Sequence, residues 1–197
     1  MRRLLFLLLT VACTGALAFG ATTVLADDDG GSDDTNATCT VSHNGGGDDQ
    51  GETGDDRSVR TDGQGSDDDQ FEGTQGDDNE SGNRGDDDMQ GNEGDDDLCG
   101  DQGDDDIQGG RGDDHLKGGP GNDVIKGEAG DDNEQGDDGN DDISGGAGHD
   151  RLFGGRGRDH ISSRDGVKDR VNCGPGVDTV RADRADAVAK NCEHVSR

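Results

Sequence analysis

Between residues 73 and 162 the chain carries one dominant apolar column, spaced nine residues apart. Read down the chain, the column is Glu80, Met89, Leu98, Ile107, Leu116, Ile125, Glu134, Ile143, Leu152 and Ile161. Alternate members fall into two sets, one rich in leucine and the other almost wholly isoleucine. The last three residues of a unit, as in His115-Leu116-Lys117, alternate polar, apolar, polar, which is the pattern of a short half-buried strand. The six residues before them are rich in glycine and aspartate and read as a tight turn. A nine-residue unit with one apolar side chain buries nothing alone, so the units must stack and share a core. The alternation predicts two faces, with two units to each turn of the stack.

Ten such units follow one another without a gap, and three further columns are constant. Glycine opens each unit from Gly73 to Gly154 and recurs at the fourth place from Gly76 to Gly157. Aspartate fills every sixth place: Asp78, Asp87, Asp96, Asp105, Asp114, Asp123, Asp132, Asp141, Asp150 and Asp159. Four units read in full as Gly-Gly-x-Gly-x-Asp-x-aliphatic-x: "GGRGDDHLK", "GGPGNDVIK", "GGAGHDRLF" and "GGRGRDHIS". The other six replace the second glycine with Thr74, Asn83, Asn92, Asp101, Glu128 or Asp137.

This phrase resembles the calcium-binding nonapeptide repeat of hemolysin-type (RTX) proteins. The resemblance implies an all-β fold, a parallel β-roll in which Ca²⁺ is held between neighbouring loops by the sixth-position aspartate and backbone carbonyls. Carried over by position, the implied ligands are the ten aspartates from Asp78 to Asp159. If each site lies between loops two repeats apart, ten loops accommodate about eight ions.

Composition sharpens the expectation. Hydrophobic residues make up 24% of the chain and aromatics 2%, with neither Trp nor Tyr, too little for an ordinary globular core. The formal net charge of -30 opposes any compact state unless cations bind, and makes nucleic acid and anionic membrane surfaces poor partners. Carboxylate and carbonyl oxygens suit Ca²⁺, whereas imidazole and thiolate hold no column that would select zinc. Two aliphatic side chains in eighteen residues do not offset the entropy of ordering them. Calcium binding and folding are therefore expected to be one event.

Two column members depart from the pattern. Glu80 falls in the first unit, where the end of a stack frays. Glu134 lies inside the array, and a buried unpaired carboxylate is costly. Its side chain is expected to escape to solvent, or the roll to break between Ile125 and Ile143. The fifth-position residues Asp77, Asp86, Asp95 and Asp104 are expected to be outward charge. Two Arg-Gly-Asp triplets, at Arg84 and Arg111, fall on repeat positions and need only an arginine at the third place, so they are not read as adhesion motifs.

The ends differ in character. Residues 1–26 begin Met1-Arg2-Arg3, continue apolar and close on Val24-Leu25-Ala26, the layout of a cleaved secretory signal. Residues 27–72 are acidic, Gly-rich and expected to be mostly disordered, although Phe71 falls in the aliphatic register and the stack is expected to begin slightly before Gly73. Residues 163–197 repeat an Asp-x-aliphatic step at Asp169-Arg170-Val171, Asp178-Thr179-Val180 and Asp186-Ala187-Val188, one residue out of register. They are read as about three irregular strands capping the stack. Cleavage after Ala26 leaves Cys39, Cys99, Cys173 and Cys192, which allow three pairings, of which Cys173 with Cys192 is preferred.

No H-E-x-x-H, G-x-S-x-G or P-loop is present. The reading is a non-enzymatic, secreted calcium-binding protein that does not insert stably in a membrane once its signal is removed. The alternatives are an extracellular structural or adhesive spacer stiffened by Ca²⁺, and a disordered polyanion that buffers cations without folding.

Overall fold

The computed structural model describes residues 68–197. The proposed signal segment 1–26, nearly all of the acidic segment 27–72, and any pairing through Cys39 lie outside the described residues. Fifteen strands follow in chain order: β1 (Gln70–Glu72), β2 (Asn79–Ser81), β3 (Asp88–Glu93), β4 (Asp97–Cys99), β5 (Asp106–Arg111), β6 (His115–Pro120), β7 (Val124–Ala129) and β8 (Asn133–Asp138). They continue as β9 (Asp142–Ala147), β10 (Arg151–Arg156), β11 (His160–Ser163), β12 (Arg170–Asn172), β13 (Thr179–Ala182), β14 (Ala187–Val188) and β15 (His194–Ser196). There is no helix among the described residues, hence none long and apolar enough to cross a membrane.

Odd-numbered strands form one 8-stranded sheet and even-numbered strands a 7-stranded sheet facing it. Every pairing joins strands two apart in sequence and is parallel, as a coil with two strands per turn requires. The result is a parallel β-solenoid of about 7 turns. The two sets within the apolar column are the two walls of its core. Met89, Ile107, Ile125, Ile143 and Ile161 line one sheet, and Leu98, Leu116 and Leu152 line the other, all at 2% exposure or less. Phe71, on β1 and opposite Met89, places the first turn ahead of Gly73.

The strands are longer than three residues. From β5 to β10 each spans six, running through the polar-apolar-polar step into the first three places of the next unit. The ladder tolerates this because the second position bends the strand without leaving the register: Gly110 pairs with Glu128, and Gly119 with Asp137. Five of the six residues that replace the second glycine, including Glu128, keep the left-handed backbone, with φ between 70° and 79°. Fourth-position glycines serve close packing between turns. A Cβ on Gly112 would strike the carbonyl oxygen of Gly94 on the preceding turn.

Glu134 corrects the expectation made for it. Its side chain is fully buried, and β8 pairs with both β6 and β10 across its length, so the roll neither breaks nor turns the residue outward. The carboxylate crosses the interior to accept a hydrogen bond from the backbone amide of Gly127 at 3.1 Å, while the β8 backbone pairs independently of its side chain. Glu80, too, is only 9% exposed and sits in register with Leu98.

The C-terminal segment continues both sheets rather than closing them with a separate structure. Leu152 pairs with Val171, and Ile161 with Val180, so one extra residue per turn is absorbed here. The three Asp-x-aliphatic steps become β12, β13 and β14, and a fourth strand, β15, pairs Val195 with Val180. A disulfide joins Cys173 to Cys192, with Cα atoms 5.3 Å apart.

Candidate calcium-binding edges

The loops between the two sheets stack along both edges of the coil, and the sixth-position aspartates stack with them. Along one edge the amide of Asp87 donates to Oδ1 of Asp105 (2.8 Å), that of Asp105 to Asp123 (2.9 Å), that of Asp123 to Asp141 (2.9 Å) and that of Asp141 to Asp159 (3.1 Å). Along the other, the amide of Asp78 donates to Asp96, then Asp96 to Asp114, Asp114 to Asp132 and Asp132 to Asp150, at 2.8 to 3.1 Å. The ten predicted residues thus divide into two files of five. Each carboxylate except that of Asp78 reaches back one whole turn of the coil.

In these nine, one carboxylate oxygen is engaged in the ladder, and the other is not. Oδ2 is buried without a hydrogen-bond partner at Asp87, Asp96, Asp105, Asp114, Asp123, Asp132, Asp141, Asp150 and Asp159. Asp78 differs, because its Oδ2 accepts the amide of Thr74 at 2.6 Å. A buried charged oxygen with no donor is a costly arrangement, and its recurrence along both edges calls for a common explanation.

First-position glycines show where these oxygens point. A Cβ on Gly82, Gly100, Gly118 or Gly136 would collide with Oδ2 of the aspartate five residues later. A Cβ on Gly136 would also lie 2.5 Å from the carbonyl oxygen of Gly154, and one on Gly91 2.6 Å from that of Gly109. At Gly73, Gly82, Gly91, Gly127, Gly136 and Gly154 the cradle therefore combines a carboxylate oxygen with a carbonyl oxygen from the next turn, over a glycine whose missing side chain leaves the room. Among the described residues no three His, Cys, Asp or Glu side chains converge on one point. A cation here must draw part of its coordination from backbone carbonyls, a mixed oxygen set that suits Ca²⁺.

The electrostatics agree. Burial pushes the carboxyl of Asp123 up to about 8, opposed by the hydrogen bond from Asp105 and reinforced by the charges of Asp141 and Asp105. Burial likewise raises Asp114, Asp132 and Asp141 to about 7, and Asp105 and Asp159 to about 6. Glu134 is held well above the ordinary carboxylate range, first by burial and then by the charges of Asp150 and Asp132. Among the described residues no Lys or Arg forms an ion pair with these oxygens, and a bound metal ion would reverse the penalty.

Three features of the edges go beyond the sequence reading. Asp169 and Asp178 extend the two files into the cap, each accepting the amide of a repeat aspartate (Asp150 at 3.0 Å, Asp159 at 2.9 Å) and each with an unpartnered buried Oδ2. Their Asp-x-aliphatic context was visible, but the one-residue shift hid the continuity. The fifth-position residues are exposed, as expected of outward charge, yet form a ladder of their own. Oδ1 of Asp77, Asp86, Asp95, Asp113 and Asp131 accepts the fifth-position amide eighteen residues later, at 2.8 to 3.0 Å. Lastly, Oε1 of Glu134 enters the cradle of Gly127.

The RTX calcium-binding nonapeptide repeat is the family whose model matches the chain, in four copies over residues 64–98, 72–107, 100–133 and 135–167. No curated protein and no solved structure matches it.

Proposed function

Because this chain belongs to the RTX calcium-binding nonapeptide-repeat family, we propose that it is a secreted, non-enzymatic protein whose repeats fold into the roll as they take up Ca²⁺. RTX repeats bind calcium, and the parallel β-solenoid is the architecture that such binding uses. The observation that carries the reading is the repeated buried Oδ2, aimed over a first-position glycine and lacking any donor. The two files hold about eight ions within the ten repeats, four to an edge, and Asp169 and Asp178 lengthen each file toward the cap.

Calcium, when bound, supplies the positive charge that the buried carboxylates lack. The chain's own residues do the rest. Oδ1 of each aspartate holds the neighbouring turn through its amide, so Oδ2 is already oriented when the turns come together. First-position glycine carbonyls, fixed by the β ladders, complete the oxygen set from the next turn. Without the ion, closing the stack buries a line of like charges, and the fold is opposed. Uptake of calcium and closure of the turns are therefore coupled.

RTX repeat proteins are typically secreted, and such rolls are typically non-catalytic. The Cys173–Cys192 disulfide fits an oxidising compartment.

Far-ultraviolet circular dichroism of the full chain, titrated with Ca²⁺ against a Mg²⁺ control, tests the proposal. The expected result is a cooperative rise of β signal with calcium alone. A chain equally folded in excess chelator, or one that calcium leaves unfolded, would refute it.

A further inference from the structure

One cradle differs from the other nine. At Gly127 the space that a Cβ would fill is bounded by Oδ2 of Asp132, by the carbonyl oxygen of Gly145 at 2.5 Å, and by Oε1 of Glu134 at 2.7 Å. At none of the other nine first-position glycines do two different carboxylates stand among the nearest atoms. Glu134 is fully buried, and its Oε2 has no hydrogen-bond partner. It projects from β8 in one sheet and meets Gly127, on β7 in the other.

We infer that Glu134 is a calcium ligand, joining Asp132 at the Gly127–Gly145 cradle and giving this site a second carboxylate where the other repeats offer one. The inference rests on the calcium-binding reading of the repeats. Three observations carry it. The residue occupies a core position between Leu116 and Leu152, where its column otherwise places aliphatic side chains. An acid at such a place is costly unless something requires its charge. It also reaches a location where a carboxylate oxygen and a carbonyl oxygen are already assembled. Glu80, in the same column and sheet, provides the contrast. The cradle of its unit, at Gly73, is bounded by Gly91 O, Asp78 Oδ2 and Gln90 O, with no glutamate oxygen. Affinity for Ca²⁺ rises with the number of charged ligands, so the Gly127 cradle becomes the tightest site of the roll. It lies in mid-stack, where the first ion taken up can order turns on both sides.

The two possible roles of Glu134 predict opposite results for one substitution. If it is a ligand, Glu134→Leu removes the tightest class of site, one ion in isothermal titration of the full chain with Ca²⁺, and raises the calcium midpoint of folding severalfold. If it is only a misplaced buried acid, the leucine restores the column, and the midpoint stays or falls. Glu134→Gln keeps an acceptor for the Gly127 amide without the charge. It is expected to weaken the same site about tenfold, and it decides the matter if the leucine variant does not fold even in saturating calcium. Glu80→Leu serves as the control and is expected to leave the tightest site in place. An unchanged tight site in both Glu134 variants overturns the inference while leaving the family reading intact. A wild-type chain that takes up no calcium overturns both.

Discussion

The amide of Asp105 donates a 2.9 Å hydrogen bond to Oδ1 of Asp123 on the next turn, and the other oxygen of that carboxylate is left buried with no donor. This pairing gives one side chain two separable tasks, holding a turn and offering charge. Asp123→Asn keeps the first, since the amide oxygen still accepts from Asp105, and removes the second. The expected outcome is one fewer ion in calorimetric titration and a higher calcium requirement for folding, with the β signal at saturation unchanged. A full complement of ions in the variant would show that Oδ2 is not the ligand.

Protonation should act on the calcium-free chain in the sense set by the raised carboxyls. In the fold, Asp123 titrates near 8, Asp114, Asp132 and Asp141 near 7, and Asp105 and Asp159 near 6, against 3.8 for an ordinary aspartate. The unfolded chain then binds fewer protons than the folded one between these limits, so stability falls as pH rises. The calcium-free roll is expected to be most stable below about pH 4 and to lose that stability progressively up to about pH 8. Calcium affinity should run the other way and rise with pH, because the ion must displace protons. Far-ultraviolet circular dichroism in chelator at pH 4, 6 and 8 checks the first part; a β signal that increases with pH would contradict it.

Much of this architecture was legible because the repeat separates its signals by column. Leu98 and Leu116 against Ile107 and Ile125 distinguish the two sheets in the sequence itself, and the invariant sixth aspartate marks both edges. What escaped did so for geometric reasons. The fifth-position ladder depends on which backbone amide lies beside Asp77 or Asp95, and the variability of the fifth place makes these residues read as outward charge. Asp169 and Asp178 were displaced by the one residue that β12 and β13 absorb. Glu134 read as a defect because a column records which face a residue takes, not how far its side chain reaches across the core. The six-residue strands were missed because a left-handed second position resembles a turn in sequence, although it pairs within the ladder.

Two glycine substitutions should fail differently. Gly118→Ala places a methyl group against Oδ2 of Asp123 at a residue whose backbone is not left-handed, so the main effect is on the cradle. Gly112→Ala drives a methyl group into the carbonyl of Gly94 at φ 131°, so the turns cannot approach. The first variant is expected to bind one ion fewer and still fold in high calcium; the second should lose folding cooperativity whatever the calcium concentration. Parallel calcium titrations by circular dichroism separate the two, and identical behaviour would count against distinct roles for the two columns.

Glu128 offers a stabilising change. It holds φ at 75°, a left-handed conformation that costs a residue with a Cβ about 1–2 kcal/mol and that its counterparts Gly110, Gly119, Gly146 and Gly155 adopt without that penalty. Its side chain is exposed, so little packing is lost on replacement. Glu128→Gly is expected to stabilise the calcium-bound roll by about 1 kcal/mol, less than the full strain because glycine gains freedom when unfolded. Denaturant melts at saturating calcium test this, and a destabilised variant would mean that the glutamate does something the backbone angle does not reveal.

Cys173 and Cys192 are bonded across a sequence separation of 19 residues, and the loop between them contains β13 and β14. Closing a loop of that size removes unfolded-state entropy worth about 3 kcal/mol. The covalent link acts where the coil is least regular: the β12–β14 and β13–β15 pairings span fewer residues than a repeat turn, and Val195 at the last strand is 39% exposed. Reduction should therefore loosen the last turns before the middle of the stack. In saturating calcium, hydrogen exchange after reduction is expected to rise at Val180, Val188 and Val195 while Ile125 and Ile143 stay protected. Uniform loss of protection along the coil would show instead that the cap and the repeats unfold as a single unit, with the disulfide stabilising all of it.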